Sequence, residues 1–200
     1  MLILASKSQT RHALLAGAGL RFVTSPAQID ERALEADVLG KGGDAKAVAR
    51  HLAEAKACDA STAHPDAIAI GADQVLALDD SLLHKPESLA EARLQLDRLK
   101  GRAHFLHAGI ALAHNGEVLW SDVETAKLTL RNFTDAERDA VLTLEGDAVL
   151  GSVGAYRLEG PSIKLFERVE GDYFTILGLP LLPLLAALRR HAPETLEGFT

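Results

Sequence analysis

Cysteine is almost absent from this 200-residue sequence: Cys58 stands alone. A single cysteine makes no intrachain disulfide and fits no zinc spacing, so a disulfide scaffold and a cysteine zinc site are excluded, and a reducing cytoplasm is the expected compartment. Aromatic residues are few, and Trp120, Phe105 and Phe133 suit core packing as well as an interface. A surplus of positive charge is missing too. Lys and Arg total 21 against 28 Asp and Glu, a formal net charge of −7. That excludes general nucleic-acid binding, which needs a basic face, but leaves room for a small anionic ligand held by a few local cations. There is no long hydrophobic run. The most apolar stretch, FTILGLPLLPLLAALRR, is broken by Gly178, Pro180 and Pro183, and reads as a buried C-terminal helix rather than a membrane span. No basic start leads into an apolar segment, so no signal peptide is expected. The eight His form no HExxH pair, and no GxSxG elbow, Walker-type glycine loop or GxGxxG turn occurs. Zinc hydrolase, serine hydrolase, P-loop ATPase and dinucleotide oxidoreductase therefore recede.

Hydrophobic residues make up 48% of the chain, enough to pack one domain spanning 1–200. LILAS reads as a short strand, followed by a helix with Ala13, Leu14 and Leu15 inward, and RFVTSP as a second strand stopped by Pro26. The polar, Gly-punctuated AQIDERALEADVLGKGG is expected to be a loop. Asp44 caps a helix with Val48, Leu52 and Ala55 on one face. AIAIGADQVLAL is β-rich with an interruption at its middle. Ser88 and Glu91 form a capping box ahead of a helix carrying Leu94, Leu96 and Leu99, which Gly101 stops. Two long strand-like segments flank the hairpin turn Asn115-Gly116. Thr134 caps a short helix, Gly160-Pro161 makes a turn, and a last helix starts near Pro180, with APETLEGFT frayed. Alternating strands and helices with a central hairpin give an α/β fold built on a mixed sheet flanked by helices.

Three groups of residues suggest chemistry. In the opening turn, Ser6 and Ser8 add hydroxyls and Lys7 and Arg11 add charge at a helix N-terminus, whose free N–H groups and dipole favour an anion. The same residues are also accounted for if Ser8 merely caps the helix and the cations are solvated. Asp73 interrupts an apolar β segment beside Gly71, where an ionised carboxylate needs a partner; the alternative is a turn Asp satisfied by local N–H groups. Asp30 and Glu31 follow the second strand and could share a divalent cation with Asp73. Lys56 lies late on an alanine-rich helix, a usual place for a surface lysine, and Lys85 precedes Pro86, which presets a turn.

In order, the chain carries LASxSxxR from Leu4 to Arg11, Asp30-Glu31, LAEAKA, IGADQV, HKP, GSVGAY with LEG, and GDYFTILGLPL. This succession, running from Leu2 to about Leu188, resembles the Maf family of nucleoside triphosphate pyrophosphatases. The resemblance implies an α/β fold with two lobes around a cleft. It implies hydrolysis of a nucleoside triphosphate between its α- and β-phosphates, giving a monophosphate and pyrophosphate, with Mg²⁺ or Mn²⁺. It assigns Asp73 as the carboxylate acting on water and Ser6, Arg11, Lys56 and Lys85 as phosphate-handling groups. Ser8 stands with the substrate-binding set, and Glu31 joins Asp73 at the metal. Relatives are often homodimers, although no exposed apolar stripe in this sequence demands one.

The sequence departs from the family pattern at the opening motif. Gln9 and Thr10 stand where a Pro and an Arg or Trp are usual, and Thr10 lies at a base-discriminating position. Gln74 and Glu159 occupy two further discriminating positions and match the branch acting on 7-methyl-GTP, whereas the dTTP and UTP branch usually has Thr and Gln. Ser152 stands where that second branch usually has Lys. A carboxylate at 159 can accept hydrogen bonds from the N1–H and exocyclic amine of a guanine edge. A modified-purine or broad-specificity enzyme, closer to the 7-methyl-GTP branch than to the dTTP and UTP branch, is therefore expected. The rival expectations are a non-catalytic nucleotide-binding regulator of cell division and a nucleotidyltransferase; the latter lacks the D-x-D acidic pair it often carries.

Overall fold

A computed structural model describes residues 1–196. Along the chain run β1 (Leu2–Leu4), α1 (Gln9–Gly17), β2 (Phe22–Thr24), α2 (Glu31–Gly40), α3 (Ala45–Ala63), β3 (Ile68–Leu78) and β4 (Ser81–Leu83). There follow α4 (Leu89–Leu99), β5 (Ala103–His114), β6 (Glu117–Leu130), α5 (Asp135–Glu145), β7 (Phe166–Glu170), α6 (Tyr173–Ile176) and α7 (Leu181–His191), with short 3-10 turns at Gly146–Gly151, Pro161–Leu165 and Pro193–Thr195. The seven-stranded sheet has the order β2-β1-β3-β5-β6-β7, with β4 on β3. β1 lies parallel to both β2 and β3, while β4 pairs antiparallel with β3 and β7 antiparallel with β6. The mixed sheet is the one expected from the alternation of elements. Asn115 and Gly116, at φ 49° and 81°, make the two-residue turn whose twist suits a β5–β6 hairpin.

The chain forms two compact units, one of Met1–Gln74, Ala108–Glu124 and Tyr173–Thr200, the other of Val75–His107 and Thr125–Asp172. In the first unit, Leu2 and Leu4 of β1, Ile68 and Ile70 of β3, and Ile110 and Leu112 of β5 pack with Leu181, Leu184 and Leu188 of α7. A separate cluster is nearly all alanine: Ala53 and Ala57 of α3 with Ala111 and Ala113 of β5. Such small side chains let the backbones approach. A Cβ on Gly71 would stand 2.0 Å from the Ala53 carbonyl oxygen, and one on Gly109 would stand 2.1 Å from that of Ala49. Glycine at both positions thus seats α3 directly on β3 and β5. In the second unit, Phe133, Leu96, Leu99 and Leu142 are buried. Arg138 is buried among carboxylates, donating to Asp97 (2.5 Å) and Asp139 (2.8 Å).

Several expectations need correction. The segment read as a loop contains α2: the Asp30 side chain accepts from Ala33 N at 3.0 Å, and Glu31 occupies the first turn, where a negative charge meets the helix dipole. β3 runs unbroken through Gly71-Ala72-Asp73-Gln74, because Asp73 finds a cation and needs no turn. The Ser88 capping box is half made, since Glu91 accepts from Glu87 N rather than from Ser88 N. Leu94 is 65% exposed and Ala13 is exposed, so neither faces a core. The tail is not frayed through Leu196, which packs with Ala192 into the first unit's core; residues 197–200 lie outside the described residues.

Candidate active site

The opening turn is a network rather than a row of solvated groups. Ser8 caps α1, its hydroxyl accepting from Arg11 N at 3.3 Å. Ser6, buried at the end of β1, accepts from Ser8 N and from Arg11 Nη1, both at 3.2 Å. A serine hydroxyl has two lone pairs and one proton, so Ser6 Oγ keeps its O–H to donate. Arg11 also donates from Nη1 to the Ala72 carbonyl and from Nε to the Gly178 carbonyl, both at 2.8 Å. Among the described residues its Nη2 makes no hydrogen bond. Burial lowers the pKa of Arg11, opposed by the charges of Asp73 and Glu31, and the guanidinium stays protonated. Lys7 is exposed and Thr10 half-buried in the first turn of α1.

Lys56 is not the surface lysine its helix position suggests. It is 8% exposed, on the face of α3 that Gly71 draws against β3. Its ammonium donates to Asp73 Oδ1 at 2.5 Å and lies 2.9 Å from Glu31 Oε1. Asp73 is likewise 8% exposed, and this pairing explains how a carboxylate sits inside an apolar strand. Two of the three ammonium protons are used, which leaves one. Glu31 and Asp73 therefore meet through Lys56. Asp30 does not join them, because its carboxylate caps α2.

Gln74 donates both protons of its side-chain amide to backbone carbonyls, those of Thr175 and Ile176, each at 3.0 Å. Only its Oε1 acceptor remains to face a ligand. Arg11 and Gln74 together grip the turn 175–178 and fix the strand residues on either side of Asp73. Gly178 ends this turn at φ 87°, where the backbone of any residue with a side chain would be strained. These carbonyl partners lie inside IGADQV and GDYFTILGLPL, but as backbone groups their roles leave no side-chain signal; Gly109 under α3 falls in no motif and shows only as a glycine inside an apolar segment.

Lys85 and Glu159 belong to the second unit. Lys85 is exposed in the irregular stretch after β4, beside the buried Pro86. Glu159 is exposed in the loop between the Gly146–Gly151 turn and the Pro161–Leu165 turn, with Ser152 half-buried at the start of that loop. No helix among the described residues is long and apolar enough to cross a membrane.

Comparison with known proteins agrees with the ordered motifs. Residues 1–191 match the family described as Maf-like protein. The chain is 50% identical over 190 residues to the 7-methyl-GTP pyrophosphatase of Brucella abortus biovar 1 (strain 9-941), covering 95% of this chain and 96% of the relative. It is 51% identical over 189 residues to the 7-methyl-GTP pyrophosphatase of Rhizobium meliloti (strain 1021), covering 94% and 95%. It is 50% identical over 188 residues to the nucleoside triphosphate pyrophosphatase of Bradyrhizobium diazoefficiens, covering 94% and 92%. With its glycine-seated lysine and paired carboxylates in place, the chain belongs to the Maf family of nucleotide pyrophosphatases.

Proposed function

We propose that this pyrophosphatase acts on 7-methyl-GTP, releasing the nucleoside monophosphate and pyrophosphate. The observation that carries the reading is the buried Lys56 ammonium held between Asp73 and Glu31. A triphosphate needs cations aimed at its oxygens and a carboxylate beside the attacking water, and this cluster supplies both. Support for the base comes from Gln74 and Glu159, the pair typical of the 7-methyl-GTP branch, and from the names of relatives at about half identity.

Asp73, held beside the Lys56 ammonium, orients a water on the α-phosphorus and takes its proton. The new P–O bond forms as the bridging Pα–O–Pβ bond breaks, and the electron pair leaves with pyrophosphate. Lys56 stabilises the growing negative charge with its remaining proton, assisted by the Ser6 hydroxyl and by Nη2 of Arg11. Ser8 orders the turn that presents them, and Thr10 lies at its edge. Lys85 is assigned to the departing pyrophosphate and Glu159 to the base by their motif positions; Gln74 offers the base an acceptor.

The donors fit Mg²⁺ or Mn²⁺. Among the described residues no three His, Cys, Asp or Glu side chains gather to cage a metal, but Mg²⁺ is commonly held by one or two carboxylates, several waters and the substrate's own phosphates. Glu31 and Asp73 would hold it, and when bound it neutralises charge on the triphosphate oxygens.

Pyrophosphate release measured across 7-methyl-GTP, GTP, dTTP and UTP with Mg²⁺ tests the proposal. The expected outcome is the highest kcat/KM on 7-methyl-GTP. A clear preference for dTTP and UTP would overturn the base assignment.

A further inference from the structure

Glu145 ends α5 with its side chain fully buried, at 0% exposure. A carboxylate so placed must be matched by donors, and here three are present. Arg157 Nε donates to Oε2 at 2.8 Å, and Ser162 donates to Oε1 from its backbone N at 2.9 Å and from its hydroxyl at 2.6 Å. Burial pushes the carboxyl pKa up, but the hydrogen bonds from Ser162 and Arg157 prevail and hold it below the ordinary value. Glu145 is therefore a permanent anion.

Arg157 and Ser162 are the two ends of one short loop, and the exposed Glu159 lies between them. Inside the loop, Gly160 N donates to Arg157 O at 3.2 Å and Ile163 N to Gly160 O at 3.1 Å. A Cβ on Gly160 would lie 2.6 Å from Glu145 Oε1, so only glycine admits the carboxylate. The segment leading into the loop is pinned as well: Gln95 of α4 donates to the Val153 carbonyl, and His104 of β5 shares a 2.7 Å hydrogen bond with the Tyr156 hydroxyl. Among the described residues the Glu159 carboxylate itself makes no hydrogen bond or ion pair. Buried side chains thus fix the frame of the loop and leave its apex carboxylate to a ligand.

We infer that Glu145 is a positioning residue for substrate choice: it staples the two ends of the Arg157–Ser162 loop and so preorganises Glu159 for the hydrogen-bond donors of a guanine-type base. The inference rests on Glu159 reading the base, as proposed above. A preset carboxylate loses little freedom when it binds, whereas a loosened loop must be ordered at the expense of affinity.

The test is a double-mutant cycle on the full chain, with kcat and KM measured for 7-methyl-GTP and for dTTP. In Glu145→Gln the side-chain amide N–H₂ and the Arg157 Nε–H confront each other as two donors, opening one end of the loop. The expected result is a roughly tenfold loss in kcat/KM for 7-methyl-GTP, carried by KM, with dTTP changed less than about twofold. Because Glu145 acts through Glu159, the Glu145→Gln/Glu159→Gln enzyme should lose no more than Glu159→Gln alone. Equal losses on both nucleotides, no loss, or a further loss in the double variant would overturn the inference. A Glu159→Gln enzyme with unchanged preference would overturn the base reading itself, and this inference with it. Arg157→Ala, at a half-exposed position, removes the same anchor from the loop side and is read in the same way if Glu145→Gln fails to accumulate.

Discussion

Adding one methyl group at Gly71 should separate folding from catalysis in this enzyme. The Cβ of Gly71→Ala would lie 2.0 Å from the Ala53 carbonyl oxygen, 2.6 Å from Ala57 N and 2.9 Å from Ala57 Cβ, and the first two are backbone atoms that no rotamer change can move. To regain a 3.4 Å contact, α3 has to retreat from β3 by about 1.4 Å. Lys56 rides on that stretch of helix, and Asp73 is two residues from Gly71. The 2.5 Å pair would then open to about 3.9 Å, beyond hydrogen-bonding range. Overpacking of this kind typically destabilises by about 1–3 kcal/mol, a fall in Tm of about 3–10 °C for a chain of this length. A displacement near 1 Å at reacting groups can lower turnover by about 100-fold, so kcat for pyrophosphate release should fall far more than stability does. Gly40→Ala is the control, since nothing lies within 4 Å of its added Cβ. Gly71→Ala with kcat within about threefold of the parent and an unshifted Tm would refute the claim that glycine sets the helix height over Asp73.

Three further outcomes are expected. Asp73→Asn should abolish pyrophosphate release while nucleotide binding, followed by calorimetry, persists; loss of binding without turnover to lose would instead favour a non-catalytic binding protein. Chelation with EDTA should stop turnover, restored by Mg²⁺, yet leave the melting temperature of the nucleotide-free enzyme unchanged, because Lys56 already bridges Asp73 and Glu31. Acid should weaken the fold through His104, whose pKa burial pushes down to about 4, with the backbone of Arg102 opposing. The unfolded chain, with a His pKa near 6.5, binds the proton more tightly, so the stabilising effect is complete above pH 6.5 and is lost as the pH falls from there toward 4. At pH 4.5 urea titrations should show the parent losing roughly 2 kcal/mol more than His104→Gln, relative to pH 7.

The sequence pointed to the candidate residues because charged groups are expensive to place in apolar segments. An Asp in the apolar run AIAIGADQVLAL is anomalous unless something pairs with it, and its partner proved to be Lys56, which Glu31 shares. What the sequence could not reveal was the geometry satisfying the pair. Lys56 reads as a surface residue because helical periodicity says nothing of two glycines on distant strands, Gly71 and Gly109, that pull its helix inward. Asp30 and Ser8 each have the chemistry of a ligand and each serve a helix end, a use decided by local backbone geometry. The segment holding α2 reads as loop because its polar, Gly-flanked composition hides a helix that buries no residue fully and rests on α3. Strands and hairpin were legible from alternation and from Asn115-Gly116, features set by neighbouring residues alone.

The guanidinium of Arg11 reaches across 167 positions of sequence to the Gly178 carbonyl. On the ribosome, this means that the turn carrying Arg11 is made 167 residues before its partner carbonyl. Until residues 175–178 have left the exit tunnel, Arg11 and Gln74 lack the carbonyls that receive them, and the strand bearing Asp73 is without this clasp.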